Sequence, residues 1–395
     1  MGRIKVLQIL TRLEAGGSAA NTLACARRLG DGFESFLACG IVEKGLEEPA
    51  GDLKLIRLPH LKRSISLWED VRAFFEILDL LRREKPDIVH THTSKAGFLG
   101  RWAAFLYKRS CRKSCVVIHT PHGHVFYGYF GPLKSWLFTL LERCTSRFTD
   151  KLVALSQGER TESLARAIGT PSQWTIIASG VRIPMDEEMA QLRAQGRALR
   201  EKLGLPEDSL VIGTVARLEP VKGVETLVRA APLILQQSPT VRFLLVGDGS
   251  QRARLQGLSV SLGLHEQIIF LGHQDNALAA MAAMDIYVQP SLNEGLGRTL
   301  IEAALLDLAS AASDVCGIRD IVLDGQTGIL VKPADAADLA QAVGRLAADA
   351  TLRRLFGRAA RAHVMAPDEN GLARFSERAM LEKLSRLYLS SRKRS

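Results

Sequence analysis

Between Asn293 and Glu302 the chain reads "NEGLGRTLIE", with two glutamates eight residues apart and two glycines between them. Glycine is among the poorest helix formers, so Gly295 and Gly297 mark a loop, and "RTLIEAALL" after them is a helix. "DIYVQPS", just before, carries the apolar β pattern of a strand. Glu294 then falls on the loop and Glu302 in the second helical turn. Leu296 lies between the two glycines, and the amides of Gly297, Arg298 and Thr299 open the helix. There, unpaired N–H groups and the helix dipole favour a phosphate. Carboxylates accept strongly from neighbouring hydroxyls. One ligand with hydroxyls at both ends and phosphates in its middle matches this layout.

Another strand, "LVIGTVAR", leads into "LEPVKGVETLVRA". Arg217 and Lys222 flank a proline turn, and Gly223 opens a helix. Arginine grips two oxygens with a planar fork and lysine adds a mobile point charge, which suits a diphosphate. The alternative is a pair of solvated surface charges. After the first strand, Gly16 and Gly17 in "EAGGSAANTLACARRLG" permit a tight turn at a helix start. This is not GxGxxG, and no ribose-binding acid follows at the expected place. A plain β–α turn is the alternative here.

Five of the nine histidines, His90, His92, His119, His122 and His124, fall in "DIVHTHTSKAG" and "VVIHTPHGHVFYG", both at strand ends. His90 and His92 are two apart, as are His122 and His124, so each pair shares one side of an extended backbone. Imidazole suits zinc, but no acidic residue or cysteine accompanies them locally. Hydrogen bonding to a polar ligand, with one histidine at the reaction centre, is the reading taken; His90 and His119 as satisfied structural histidines is its alternative. Hexose hydroxyls, a diphosphate and ribose hydroxyls together describe a nucleotide sugar.

The elements that must position these residues alternate. "IKVLQIL", "DIVHTH", "SCVVIHT" and "KLVALS" are separated by helical patterns, and the rhythm returns with "LVIGTVAR", "VRFLLVGDG", "QIIFLG", "DIYVQPS" and "GILVKP". Such alternation implies an α/β fold of two Rossmann-like, doubly wound parallel sheets, with ligands bound in a cleft beyond the carboxyl ends of the strands. The β pattern stops between Arg182 and Leu203. The expected organisation is an N-terminal Rossmann-like domain at 1–185, a C-terminal nucleotide-sugar-binding Rossmann-like domain at 186–375, and a helix with a basic tail at 376–395. At 395 residues, two domains are also what core size favours.

The net charge of +10 excludes basic partners and leaves phosphate-rich ligands and anionic membranes open. Nucleic acid is set aside because no groove-reading motif appears and aromatics make up only 6%. No apolar run is long enough to span a bilayer, and "MGRIKVLQIL" reads as a first strand, not a signal peptide. Six scattered cysteines without a CxxC pair fit reduced thiols in a cytoplasmic protein.

Taken together, the motifs resemble glycosyltransferase family 4, the retaining transferases of the GT-B fold, over essentially the whole chain. "AGGSAANTLACARRL" is similar to that family's first loop, "KPDIVHTHTSKAGFLGRWAA" to its "PDvvHaH" segment and "TPHGH" to its "TxHG" loop. "VALSQGERTESLA", "ARLEPVKGVETLVRA", "FLLVGDG" and "EGLGRTLIEA" complete the series. The longer strings "HTHTSKAGFLGRWAA" and "TPHGHVFYGYFG" are similar to bacterial enzymes that build surface polysaccharides.

The resemblance implies that Arg217 and Lys222 neutralise the donor diphosphate and that Glu302 holds the ribose. Glu294 would hold the hexose near the reacting carbon, aided by the amides of Gly295, Leu296 and Gly297. His122 would contact the sugar, and Gly16 and Gly17 would let the first loop approach donor and acceptor. It further implies hexosyl transfer with retention, without a metal or other cofactor, from a UDP-sugar by default. The donor phosphate would take the acceptor's proton; a covalent intermediate on Glu294 is the variant. The implied acceptor is a lipid-linked saccharide, at the inner face of the cytoplasmic membrane. A basic, aromatic-bearing stretch, "RWAAFLYKRSCRK", with "YFGPLKSWLFTLL" beyond it, is the candidate surface for anionic lipid. A nucleotide-sugar epimerase on the same fold is the alternative function. Two departures stand out: Ser179, Gly180, Val181 and Arg182 replace the family's "NGvD", and "DLASAASDVCG" replaces "GxPVVAsdvGG", placing Cys316 at the first paired glycine.

Overall fold

The computed structural model describes residues 2–14, 16–42, 53–111, 115–123, 131–206 and 208–392. His124, most of "VFYGYFG", Arg112 with Lys113, and the last three residues lie outside them. The chain divides into two compact units, 1–180 with 377–395, and 181–376.

In the first unit the strands are β1 (Ile4–Leu13), β2 (Phe33–Val42), β3 (Lys54–Arg57), β4 (Ile88–His92), β5 (Val116–Thr120), β6 (Lys151–Ala154) and β7 (Trp174–Ile176). Between them run the helices α1 (Gly17–Arg28), α2 (Leu67–Glu84), α3 (Ser94–Cys111), α4 (Pro132–Ser146) and α5 (Gln157–Ala165). All strand pairs are parallel, in the order β3-β2-β1-β4-β5-β6-β7. β4 and β5 are buried along their whole length, as strands covered by helices on both faces must be.

The second unit runs α6 (Asp186–Lys202), β8 (Val211–Val215), α7 (Val224–Gln237), β9 (Arg242–Val246), α8 (Arg252–Ser261), β10 (Ile268–Gly272), α9 (Ala277–Met281), β11 (Ile286–Gln289), α10 (Arg298–Leu305), β12 (Ala309–Ser313), β13 (Ile329–Val331), α11 (Ala336–Ala348) and α12 (Ala350–Met365). Its sheet order is β10-β9-β8-β11-β12-β13, again all parallel. The last helix, α13 (Glu377–Arg392), belongs to the first unit. Met380, Leu384, Leu387 and Tyr388 join Ile4, Val6, Ile88, Val116 and Ile118 in one buried cluster. Each such side chain contributes about 1.5–3 kcal/mol by leaving water.

In both sheets the strand order reverses beside the first strand of the unit, between β1 and β4 and between β8 and β11. Helices leave to opposite faces at such a point, so the carboxyl ends of those two strands frame a crevice. Gly16 and Gly17 follow β1, Arg217 and Lys222 follow β8 and Glu294 follows β11, whereas His122 follows β5.

Candidate functional site

In the second unit, Arg217 is exposed just past β8, and Lys222 ends a short 3-10 turn, Pro220–Lys222. Gly223 follows with φ +60, and a Cβ there would sit 2.0 Å from the Pro290 carbonyl oxygen. Only glycine allows both the left-handed backbone and this approach. The Leu292 amide donates to the Val221 carbonyl at 2.8 Å, so the turn after β8 is stapled to the loop after β11.

That staple brings Lys222 onto Glu294. The Lys222 ammonium donates to Glu294 Oε1 at 2.6 Å, the Gln289 amide donates to the same oxygen at 2.8 Å, and the Ser291 hydroxyl at 2.9 Å. Oε2 takes none of the three. Gln289 also accepts from the Thr299 hydroxyl at 2.9 Å, which ties the start of α10 to the glutamate. The N-cap of α10 is Gly297, at φ +86, so no capping side chain occupies the helix start. Leu296 is buried beside it. Glu302 is half-buried on the second turn of α10; burial pushes its carboxyl up, with the Arg298 guanidinium opposing.

The departure at 307–317 leaves this frame standing. Ala309–Ser313 forms β12 between β11 and β13. The second glycine of the family pair is retained as Gly317, whose amide donates to the Glu294 carbonyl at 3.2 Å. A Cβ on Gly317 would lie 2.2 Å from the Gly295 carbonyl oxygen, so the glutamate loop is seated on a bare backbone.

In the first unit, Gly16 and Gly17 are exposed where α1 begins. Gly16 is extended, at φ 161, and a Cβ there would meet nothing within 4 Å. Neither packing nor a left-handed backbone therefore requires that glycine.

His90 and His92 stack on the same side of β4, with ring centroids 4.2 Å apart. His122 does not continue an extended backbone: its φ of +61 is left-handed, uncommon for a residue with a side chain. Its Nε2 lies 2.9 Å from His92 Nδ1. The His92 Nε2 lies 2.7 Å from Gln8 Oε1, and the Gln8 amide donates to the Tyr388 hydroxyl at 3.1 Å. Tyr388 lies 2.6 Å from His90 Nδ1, and His90 Nε2 is 2.8 Å from the Thr120 hydroxyl. Burial, with the neighbouring His122, pushes the His90 imidazole down to about 3. Burial and the surrounding histidines push His92 down as well. His119 is buried against Thr91, whose hydroxyl and carbonyl its Nδ1 meets at 2.9 and 3.1 Å, while its Nε2 is buried with no hydrogen-bond partner among the described residues.

Glu159, at the start of α5, fixes the backbone beside His122. Its two oxygens accept from the Gly123 amide at 2.8 Å and the Leu155 amide at 2.6 Å. Burial pushes this carboxyl up to about 7 against the pull of those amides, and Glu162 adds to the rise. Sequence reasoning singled out neither Glu159 nor Gln8, Gln289, Ser291 and Tyr388.

Among the described residues no cluster of His, Cys, Asp or Glu is placed to hold a metal ion. No disulfide joins any of the six cysteines, four of which are buried.

The profile named Glycosyl transferases group 1 matches residues 196–363, and that named Glycosyl transferase 4-like domain matches 6–180. The chain is 30% identical over 298 residues, 75% of each chain, to an Escherichia coli enzyme named UDP-Gal:alpha-D-GlcNAc-diphosphoundecaprenol alpha-1,3-galactosyltransferase. It is 26% identical over 87% of each chain to the capsular polysaccharide biosynthesis glycosyltransferase CapM of Staphylococcus aureus. Among solved structures, Anabaena HepE in complex with UDP and glucose superposes with a TM-score of 0.78, at 21% identity, over 98% of this chain and 100% of HepE. Both curated relatives are transferases by name, and the epimerase alternative draws no support from them.

Proposed function

Because this chain belongs to the group 1, family 4-like glycosyltransferases of the GT-B fold, we propose that it moves a hexosyl group from a UDP-sugar to a lipid-linked saccharide in bacterial surface-polysaccharide synthesis. The relatives' names support the acceptor class, and the UDP and UDP-glucose complexes of HepE support the donor. The observation that carries the reading is the meeting of Lys222 and Glu294 at the reversal of the second sheet. A cation for phosphate and an acceptor for sugar hydroxyls stand side by side there.

In this reading the ion pair holds the unliganded site in shape. When donor binds, Lys222 turns with Arg217 to the diphosphate, and the amides of Gly297, Arg298 and Thr299 take a phosphate oxygen. Glu294, still anchored by Gln289 and Ser291, accepts from the hexose, with the Gly295 and Leu296 amides beside it. Glu302 accepts from the ribose. His122 is a ligand of the sugar, and the bare backbone at Gly16 and Gly17 admits donor and acceptor. Cations around the diphosphate stabilise the departing UDP, which is the work a metal does in other transferases, so no metal or other cofactor is needed. Retention follows if a donor phosphate oxygen takes the acceptor's proton while the acceptor attacks from the same face. No other base is then required of the protein.

Attachment to the inner face of the cytoplasmic membrane is part of this reading. Among the described residues no helix is long and apolar enough to cross a membrane. Yet Ile65, Leu67, Trp68, Val71 and Phe75, at the start of α2 and along it, are exposed, as are Leu133, Trp136 and Leu137 on α4. Exposed Arg63 precedes α2, Arg72 lies on it, Arg109 lies in the last turn of α3 and Lys134 in the first turn of α4. Within the stretch 101–113, however, Arg101 is buried against Glu142 and Tyr107 is buried, so those two residues do not face lipid. An amphipathic surface of this chemistry suits an anionic leaflet, where a lipid-linked acceptor resides.

Thermal-shift screening of UDP, GDP, ADP and their hexoses, followed by identification of the product's anomeric configuration, tests the core of the proposal. UDP should raise the melting temperature, and the α-linked donor should give an α-linked product. A free epimer without transfer, or an inverted linkage, would overturn it.

A further inference from the structure

Glu294 is held by a glutamine that closes a buried strand. Lys222, Gln289 and Ser291 all donate to its Oε1, at 2.6, 2.8 and 2.9 Å. An ammonium only donates and a carboxylate only accepts, so the polarity of this group is fixed. The Gln289 amide must turn its NH2 to Glu294, which leaves its oxygen to accept from the Thr299 hydroxyl at 2.9 Å. The reverse orientation would set the amide oxygen against the carboxylate. Gln289 and Ser291 are 5% and 1% exposed, so water does not compete for these bonds. The glutamine follows Tyr287 and Val288, both fully buried, where packing alone favours an apolar residue. Gly297 leaves room for its amide: a Cβ there would lie 3.3 Å from Gln289 Nε2.

We propose that Gln289, oriented by Thr299, is a positioning residue that keeps Oε1 of Glu294 engaged once Lys222 has turned to the diphosphate, so that Oε2 alone meets the hexose. The inference rests on the reading of Glu294 as the hexose ligand. In the unliganded site a cation and two neutral donors share Oε1. Arrival of the diphosphate withdraws the cation, and the neutral donors must then hold the carboxylate by themselves. Loss of the glutamine therefore matters most while the hexose is held and transferred, and little when UDP binds alone. The groups proposed for the phosphate at the start of α10 are backbone amides, which substitution of Gln289 or Thr299 side chains leaves in place.

Release of UDP from UDP-glucose and from UDP-galactose by the full chain, followed without acceptor, gives a kcat for the faster donor. Gln289→Met keeps the side chain's length and removes both bonds. Its kcat should fall about tenfold, while its affinity for UDP by isothermal titration changes less than about twofold. Thr299→Val should lower kcat about threefold, and the double variant no further than Gln289→Met alone. Gln289→Glu adds a pH readout. Around that position stand the Glu294 carboxylate, the Lys222 ammonium and the Tyr287 hydroxyl, with Glu302 farther along α10. A protonated carboxyl there donates to Glu294 and accepts from Thr299 as the amide does; once ionised it repels Glu294. The kcat of this variant relative to wild type should therefore rise as pH falls from about 8 to about 6, whereas the ratio for Gln289→Met stays flat. Wild-type kcat in Gln289→Met, a loss of UDP affinity equal to the loss of kcat, or a Gln289→Glu profile parallel to wild type overturns the proposal. Full turnover in Glu294→Gln would instead refute the reading of Glu294 as the hexose ligand.

Discussion

The Lys222 ammonium and the Glu294 carboxylate form a 2.6 Å ion pair whose two side chains are 23% and 10% exposed. The pair is too sheltered to be a surface salt bridge and too open to be a core one. Removing either partner leaves the other partly desolvated, at a cost of about 1–3 kcal/mol. Lys222→Ala and Glu294→Gln should therefore each lower the melting temperature of the unliganded protein, with losses that are not additive in the double variant.

Their effects on ligand should diverge. Lys222→Ala or Arg217→Ala should abolish the UDP-induced thermal shift. Glu294→Gln should retain most of that shift and lose turnover by about 10²-fold, since the proposed task of Glu294 lies on the sugar side. Isothermal titration with UDP beside a product assay measures both. Equal losses in binding and turnover would contradict the division.

Two glycines predict opposite outcomes. Gly223→Ala forces a Cβ to 2.0 Å from the Pro290 oxygen at φ +60, so the turn carrying Lys222 must shift. It should cost about 2 kcal/mol or more and weaken UDP binding together. Gly16→Ala meets open space on an extended backbone, so its stability should stay within about 0.5 kcal/mol of wild type. Turnover should still fall, because a methyl group intrudes where donor and acceptor are proposed to approach. Normal turnover in Gly16→Ala would make that loop a plain β–α turn.

Much of this was legible in the sequence because strand ends are legible. Apolar β patterns located β1, β4, β5, β8 and β11, and the chemistry-bearing types stand directly after them. β12 escaped notice: Ala309, Ser310, Ala311, Ala312 and Ser313 have none of the β-branched or aromatic bulk that marks a strand, because helices α10 and α12 press close against it. Gln289 and Ser291 read as the polar close of a strand. Only the staple from Leu292 to Val221 reveals that they converge with Lys222 on one oxygen. The partnership of Gln8 with Tyr388 spans 380 residues, and no local pattern encodes it.

Glu159 predicts a pH dependence of stability. Its native carboxyl is raised from 4.5 to about 7, so between those values the folded chain holds a proton that the unfolded chain has released. Stability from this group is complete below about pH 4.5 and is lost as pH rises through about 7, by on the order of 3 kcal/mol. Urea melts from pH 5 to 8 should show that decline in wild type. Glu159→Gln should flatten it, whatever fixed offset the amide introduces. An identical slope in the two proteins would mean that the carboxyl stays ionised throughout.

The exposed apolar residues of α2 and α4 predict the membrane behaviour. Trp68, Phe75 and Trp136 are 64%, 58% and 62% exposed, so replacing them with serine removes little packing and should leave the melting temperature nearly unchanged. Each aromatic buried at a lipid interface favours binding through its apolar area, and each nearby cation adds about 1 kcal/mol on an anionic leaflet. The wild type should sediment with phosphatidylglycerol vesicles and much less with phosphatidylcholine, and binding should weaken as salt screens the cations. Trp68→Ser with Phe75→Ser should reduce sedimentation several-fold, and Trp136→Ser should reduce it further if both helices enter the same leaflet. Retained binding in the triple variant, or indifference to lipid charge, would move lipid recognition away from these helices while leaving the donor site of the second unit untouched.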